Sequence, residues 1–201
     1  MANSLQTWDS DAYPQDIVSW LLKAFIEKDS SAPPSSDALH EDSRVVIIAG
    51  SDTTATTLAH ILYFLAKSPA TLKKLHKHLD ATFPSGPSSW SYHGVKSIPF
   101  LDDVINETLR LKPALLIGGY RVTPSQGLQI DEVYIPGDTN VFVPAQLIQT
   151  DERYYQRPLD FVPERWGEKK DEMGTDGAPF MPFSIGMCNI VIYYGSQSHI
   201  Q

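Results

Sequence analysis

The sequence predicts a mainly α protein with a small β region. Apolar residues recur at helical spacing over 14–28, 38–67 and 100–111, short β-type runs fall between 120 and 143, and prolines lock an irregular course over 151–186. Ile17, Val18, Leu21, Leu22, Phe25 and Ile26 define the first amphipathic helix. Pro33-Pro34-Ser35-Ser36 predict a loop over 30–37, because proline and serine both disfavour helix continuation. Val45, Val46, Ile48, Leu58, Ile61, Leu62 and Leu65 carry the second helix to Lys67. At about 1.5 Å per residue it is long enough to cross a whole domain.

Ser68-Pro69 stops that helix and starts a basic amphipathic one over 70–82, whose Lys73, Lys74 and Lys77 read as a solvated face. The Ser-, Gly- and Pro-rich stretch 84–97 reads as loop, and Lys112-Pro113 ends the helix over 100–111. Strand signals follow at 120–123, 128–130 and 141–143, punctuated by Gly127 and Pro136-Gly137, and 145–149 fits one helical turn. The apolar run 114–119 suits either a pocket lining or a core strand. No internal repeat is present.

The chain has 201 residues, 42% of them hydrophobic and 20% charged, ordinary values for a globular protein of one domain or two. A net charge of −8, with scattered Lys and Arg, argues against nucleic acid and anionic lipid as partners. The single cysteine, Cys188, excludes an internal disulfide, and no metal-ligand cluster is expected. Residues 1–12 are polar, lack an apolar signal region and read as a disordered N-terminus. No unbroken apolar run approaches the roughly 20 residues that span a bilayer, so the chain as written reads as soluble and cytoplasmic, without a membrane anchor.

Several motifs carry chemistry. Ala49-Gly50-Ser51-Asp52-Thr53-Thr54 puts a glycine inside a helical pattern, at a cost of about 1 kcal/mol relative to alanine. One reason would be close approach of a flat cofactor or dioxygen, with Asp52 and Thr53 as an acid–alcohol proton relay. The alternative is that Ser51 or Asp52 caps a helix beginning near Thr54. Glu107-Thr108-Leu109-Arg110 places two charges at i and i+3. They form either a surface salt bridge or, given the apolar flank of Phe100, Leu101, Val104, Ile105 and Leu109, a buried pair. A buried pair would want a third partner, and Arg165 in Phe161-Val162-Pro163-Glu164-Arg165-Trp166 is the candidate.

As an ordered set, these motifs and Pro182-Phe183-Ser184-Ile185-Gly186-Met187-Cys188 resemble the C-terminal half of a fungal-type cytochrome P-450, a heme-thiolate monooxygenase. The resemblance covers 16–186 and implies an incomplete C-terminal portion of that fold, with 13–186 as a partial domain. It implies heme as cofactor, with a small organic substrate and a reductase as partners. Ala49 and Gly50 would form the oxygen-binding groove, with Asp52 and Thr53 delivering protons. Glu107 and Arg110 would lock the core with Arg165. Arg121 would pair with a heme propionate, and Phe183 and Gly186 would contact the heme. Microsomal members of the family sit at the endoplasmic-reticulum membrane.

The sequence departs from the family at its iron ligand. The family's cysteine lies seven residues after the loop phenylalanine, where this chain has Ile190, whereas Cys188 lies only five after Phe183. Gly186-Met187-Cys188 is encodable as GGT ATG TGT, which contains GTATGT, a common fungal splice-donor sequence. Residues 187–201 therefore read as an aberrant tail of translated intron. Heme binding should then be weak or absent, because thiolate ligation is what favours O–O cleavage.

Overall fold

The computed structural model describes residues 16–117 and 119–185. The expected disordered terminus (1–12), Gly186 and the tail (187–201) lie outside the described residues. The chain divides into two compact units, 1–55 and 56–201.

In the first unit, α1 (Ile17–Glu27) begins at Asp16, whose Oδ1 accepts a hydrogen bond from the Ser19 N–H at 2.7 Å. Hydrogen bonding from Ser19 also holds the Asp16 carboxyl below the usual carboxylate range. Lys28 ends the helix in the left-handed region, at φ 55°. Asp29 then accepts from both the N–H and the hydroxyl of Ser31, which turns the chain into Pro33-Pro34. The Ser35 hydroxyl accepts from the Ala38 N–H at 3.1 Å and opens α2 (Ser36–Lys67).

The long helix α2 is continuous through 49–54 and on into the second unit. That continuity removes the capping alternative at Ser51 and Asp52, because neither residue begins a helix. By length and composition α2 is apolar enough to cross a membrane, with a mean hydropathy of 1.3 over 18 residues. An expectation framed on an unbroken apolar run does not register this helix, because Gly50, Ser51, Asp52 and the threonines after them separate the apolar residues of 45–49 from those of 58–65. A core helix of a soluble protein passes the same test.

The second unit is built around Leu65, Leu75, Phe100 and Val104, with Ile61, Leu72, Leu79, Leu101 and Phe161 packed against them. Phe64 stacks on Phe161, with ring centroids 4.7 Å apart. Leu65 comes from α2, Leu75 from α3 (Pro69–Thr82), and Phe100 and Val104 from α5 (Pro99–Leu111). Between the last two, 84–97 is not simple loop. A 3-10 turn (Gly86–Ser89) precedes α4 (Tyr92–Lys96), which the Ser91 hydroxyl caps at the Gly94 N–H. Lys74 is likewise not a solvated residue. It lies 4.3 Å from the Phe100 ring centroid and bridges Glu164 at 3.0 Å and Glu168 at 2.8 Å.

Beyond Pro113, β1 (Arg121–Val122) pairs antiparallel with β4 (Asn140–Val141), and β2 (Leu128–Ile130) with β3 (Val133–Ile135). The sequence pattern did not mark β3, whose Val133 and Tyr134 are exposed and whose Ile135 is half-buried. Gly127 enters that hairpin at φ +80°, and a Cβ there would lie 2.8 Å from the Ile135 carbonyl oxygen. The run 114–117 is neither strand nor helix, and Leu115, Leu116 and Ile117 are exposed. The short helix α6 (Ala145–Gln149), a 3-10 turn (Pro163–Trp166) and α7 (Lys170–Met173) punctuate the proline-rich segment that follows.

Phe100→Ala should cost about 3–5 kcal/mol, because it empties the middle of this cluster. Leu62→Ala, at a position 68% exposed, should cost within about 0.5 kcal/mol. Urea unfolding of the two variants measures the difference.

Candidate functional site

Glu107, Arg110 and Arg165 are all fully buried, and the structure brings them together. Arg110 sits one turn after Glu107 on α5, and its Nε and Nη2 donate to the two carboxylate oxygens, each at 2.9 Å. Arg165 arrives from the 3-10 turn, where Pro163 at its start pre-sets the backbone, and its Nε donates to Glu107 Oε1 at 3.0 Å. Two more donors complete the shell around the carboxylate. The Val162 N–H reaches Oε1 at 2.9 Å and the Trp166 indole N–H reaches Oε2 at 3.0 Å.

Two guanidinium groups around one carboxylate leave a surplus positive charge, and backbone carbonyls absorb it. Arg110 Nη1 donates to the carbonyls of Gln149 (2.8 Å) and Pro158 (2.6 Å), and Nη2 to that of Asp160 (3.1 Å). With the two bonds to Glu107, all five Arg110 N–H donors are used. Arg165 donates to the carbonyls of Gln156 (2.9 Å) and Arg157 (3.1 Å). Burial lowers the Arg165 pKa, opposed by the Glu107 charge beside it.

Tyr155, 1% exposed, places its ring 4.9 Å from the Arg110 guanidinium carbon and 5.9 Å from that of Arg165. Its hydroxyl donates to the Pro179 carbonyl at 3.0 Å, and burial pushes its pKa up to about 12. The segment 149–166 is thus wrapped around two cations, which explains how so irregular a stretch is held.

The other candidates lie elsewhere. In the first unit, Ala49, Gly50 and Asp52 are exposed on α2. A Cβ built on Gly50 meets no atom within 4 Å. The Thr53 hydroxyl donates to the Ala49 carbonyl at 2.7 Å, and Ser51 does the same to Ile47. In the second unit, Arg121 is exposed on β1, and its Nη1 donates to the Tyr120 carbonyl at 2.9 Å. Phe183 is half-buried, inside a turn closed by the Ser184 N–H donating to the Met181 carbonyl at 3.1 Å.

Comparison with known proteins places this arrangement. The sequence model of the family "Cytochrome P450" matches residues 1–189. The cytochrome P450 monooxygenase eupD of Phoma sp is 47% identical over 173 residues, covering 86% of this chain and 59% of that protein. The monooxygenase orf5 of Eupenicillium brefeldianum is 39% identical over 173 residues, covering 85% of this chain and 34% of that protein. Tryprostatin B 6-hydroxylase of Aspergillus fumigatus is 39% identical, over 72% of this chain and 26% of its own length.

The chain belongs to the cytochrome P450 family. It spans between about a quarter and three fifths of the length of these relatives, so it is a fragment of the family's domain. Cytochromes P450 are heme-dependent monooxygenases, and the relatives named here are fungal.

Within this cytochrome P450 chain, sequence reasoning missed several members of the buried cluster. Trp166 serves it through its indole N–H, Tyr155 through its ring and Gln149 through its backbone carbonyl, and no periodicity marks such residues. Asp103, also unmarked, lies on the same helix as Glu107 beside Gly167, where a Cβ would come within 2.5 Å of its Oδ2. Its carboxyl is pushed up to about 6, chiefly by burial and then by neighbouring Asp102, while Lys74 pulls the other way.

Glu107→Gln should destabilise the chain by about 3–5 kcal/mol in urea unfolding, because it leaves two buried guanidinium groups without a counter-charge. The raised Asp103 pKa means that folding disfavours its charged form. Its penalty is therefore absent below the ordinary carboxylate pKa of about 4, grows as pH rises to about 6, and is constant above that. Asp103→Asn should accordingly melt above the parent at pH 7, by a margin that shrinks towards pH 4. Thermal unfolding followed by circular dichroism across that range measures it.

Proposed function

We propose that this chain carries the C-terminal scaffold of a monooxygenase that inserts one oxygen atom from dioxygen into a small organic substrate, with electrons from a reductase, and that its iron site is incomplete. The observation that carries the first half is the buried Glu107–Arg110–Arg165 cluster, in a chain matched to the family along nearly its whole length. We assign that cluster the role of holding the polypeptide that leads to Phe183.

The residues present fit a porphyrin at its edge and not at its iron. Arg121 is an exposed guanidinium, suited to a propionate, and Phe183 opens the loop. The donor set fails at the metal. Ile190 has no lone pair to give, and Cys188 lies two positions short of the place the family's spacing requires. When bound, heme supplies the oxidising chemistry of the family.

This chain's own contribution is narrower. Arg121 offers a cation, Gly50 keeps the face of α2 free of a side chain, and Asp52 and Thr53 place an acid and an alcohol side by side. The Thr53 hydroxyl donates to the Ala49 carbonyl at 2.7 Å, which fixes its rotamer. We further propose that residues after Gly186 are translated intron. Transcript sequencing across the codon for Gly186 should find a spliced message continuing into a cysteine loop.

The cytochrome P450 family is generally membrane-associated, and we place the parent protein at a membrane on that ground. The functional test is to purify the chain with hemin and record the carbon-monoxide difference spectrum of the reduced sample. We expect no thiolate-type Soret band. A thiolate band that disappears in Cys188→Ser would overturn the incomplete-site reading and make Cys188 the ligand.

A further inference from the structure

Gln149 is fully buried at the C-terminal end of α6, and every polar group of its side chain is engaged. Its amide nitrogen donates to the carbonyls of Leu109 and Arg110, both at 3.2 Å. Its amide oxygen accepts the Met181 N–H at 2.7 Å. The orientation of the amide follows from these partners: carbonyls face the nitrogen and an N–H faces the oxygen. The backbone carbonyl of the same residue accepts from Arg110 Nη1 at 2.8 Å. One residue therefore touches the last turn of α5, the buried cation pair and the segment two positions ahead of Phe183.

That segment has other attachments. The Tyr155 hydroxyl holds the Pro179 carbonyl, and the Trp166 ring lies 4.4 Å from the ring of Phe180. The Gln149 contact reaches past 180, to the Met181 N–H. Of the three contacts named, it is the one whose loss would strand three polar partners at once: two buried helix-end carbonyls and a half-buried N–H.

We propose that Gln149 is a positioning residue, which fixes where the 181–183 segment leaves the buried cluster and so where the loop opened by Phe183 begins. The importance of that loop rests on the functional reading above, whereas the positioning itself does not. Amide hydrogen exchange by NMR on the full 201-residue chain, without added hemin, therefore tests the positioning separately from the functional reading.

In the parent, a through-hydrogen-bond coupling should connect the Met181 nitrogen to the side-chain carbonyl of Gln149. In Gln149→Met, which keeps the volume and removes the polar groups, the Met181 amide should exchange about tenfold faster. The Val162 amide, bound to Glu107, should stay within about twofold of the parent. Tyr155→Phe, which removes the Pro179 attachment alone, should leave Met181 protected. An absent coupling in the parent overturns the proposal whichever variants fold. A Gln149→Met chain that does not fold, or in which Val162 and Met181 accelerate together, also overturns it, because Gln149 would then support the core at large.

Discussion

A single carboxylate organises the second unit. Glu107 gathers five donors from α5, the 162–166 turn and the Trp166 indole, none of them solvent-exposed at the point of contact. Burying an ion pair costs several kcal/mol per ion in lost hydration, repaid only when geometry and partners are nearly complete. Here the repayment comes from the coil. Carbonyls of residues 149, 156, 157, 158 and 160 all point at the two guanidinium groups. The irregular segment is therefore folded around charge, as α2, α3 and α5 are folded around Leu65, Leu75 and Phe100. These are two different kinds of core in one unit, joined by the helix that carries both Val104 and Glu107.

The regular elements were readable because periodicity announces them. The apolar rows of α1, α2, α3 and α5 gave their positions to within a few residues, and Ser68-Pro69 and Lys112-Pro113 mark boundaries where the structure has them. The short elements were less readable. Ser91 caps a five-residue helix inside a stretch whose composition says loop, since one hydroxyl–amide bond is enough for a single turn and too little to leave a pattern. The i, i+3 spacing of Glu107 and Arg110 is visible in the sequence, and so is the apolar flank that argues for burial. The carbonyl cage around them is not, because backbone groups are the same at every position. Gln149 illustrates the same limit: a glutamine in a short turn has no neighbours in sequence that reveal its three buried partners.

On the function proposed above, the chain separates two properties that the family normally joins. The polypeptide that presents Phe183 is anchored by a dense buried network, and the residue seven positions beyond it is an isoleucine. Charge, hydrogen bonding and packing all support the anchor, yet none of them can supply a sulfur ligand. Core and chemistry are separable in a fold, because different residues provide each.

The dependence on Glu107 is most directly measured by a double-mutant cycle between Glu107→Gln and Arg165→Met, read as unfolding free energies in urea. If the carboxylate is the shared acceptor that holds the 162–166 turn to α5, the coupling energy should exceed about 1 kcal/mol. Additivity within about 0.5 kcal/mol would show that the two residues contribute independently, and the account would be wrong.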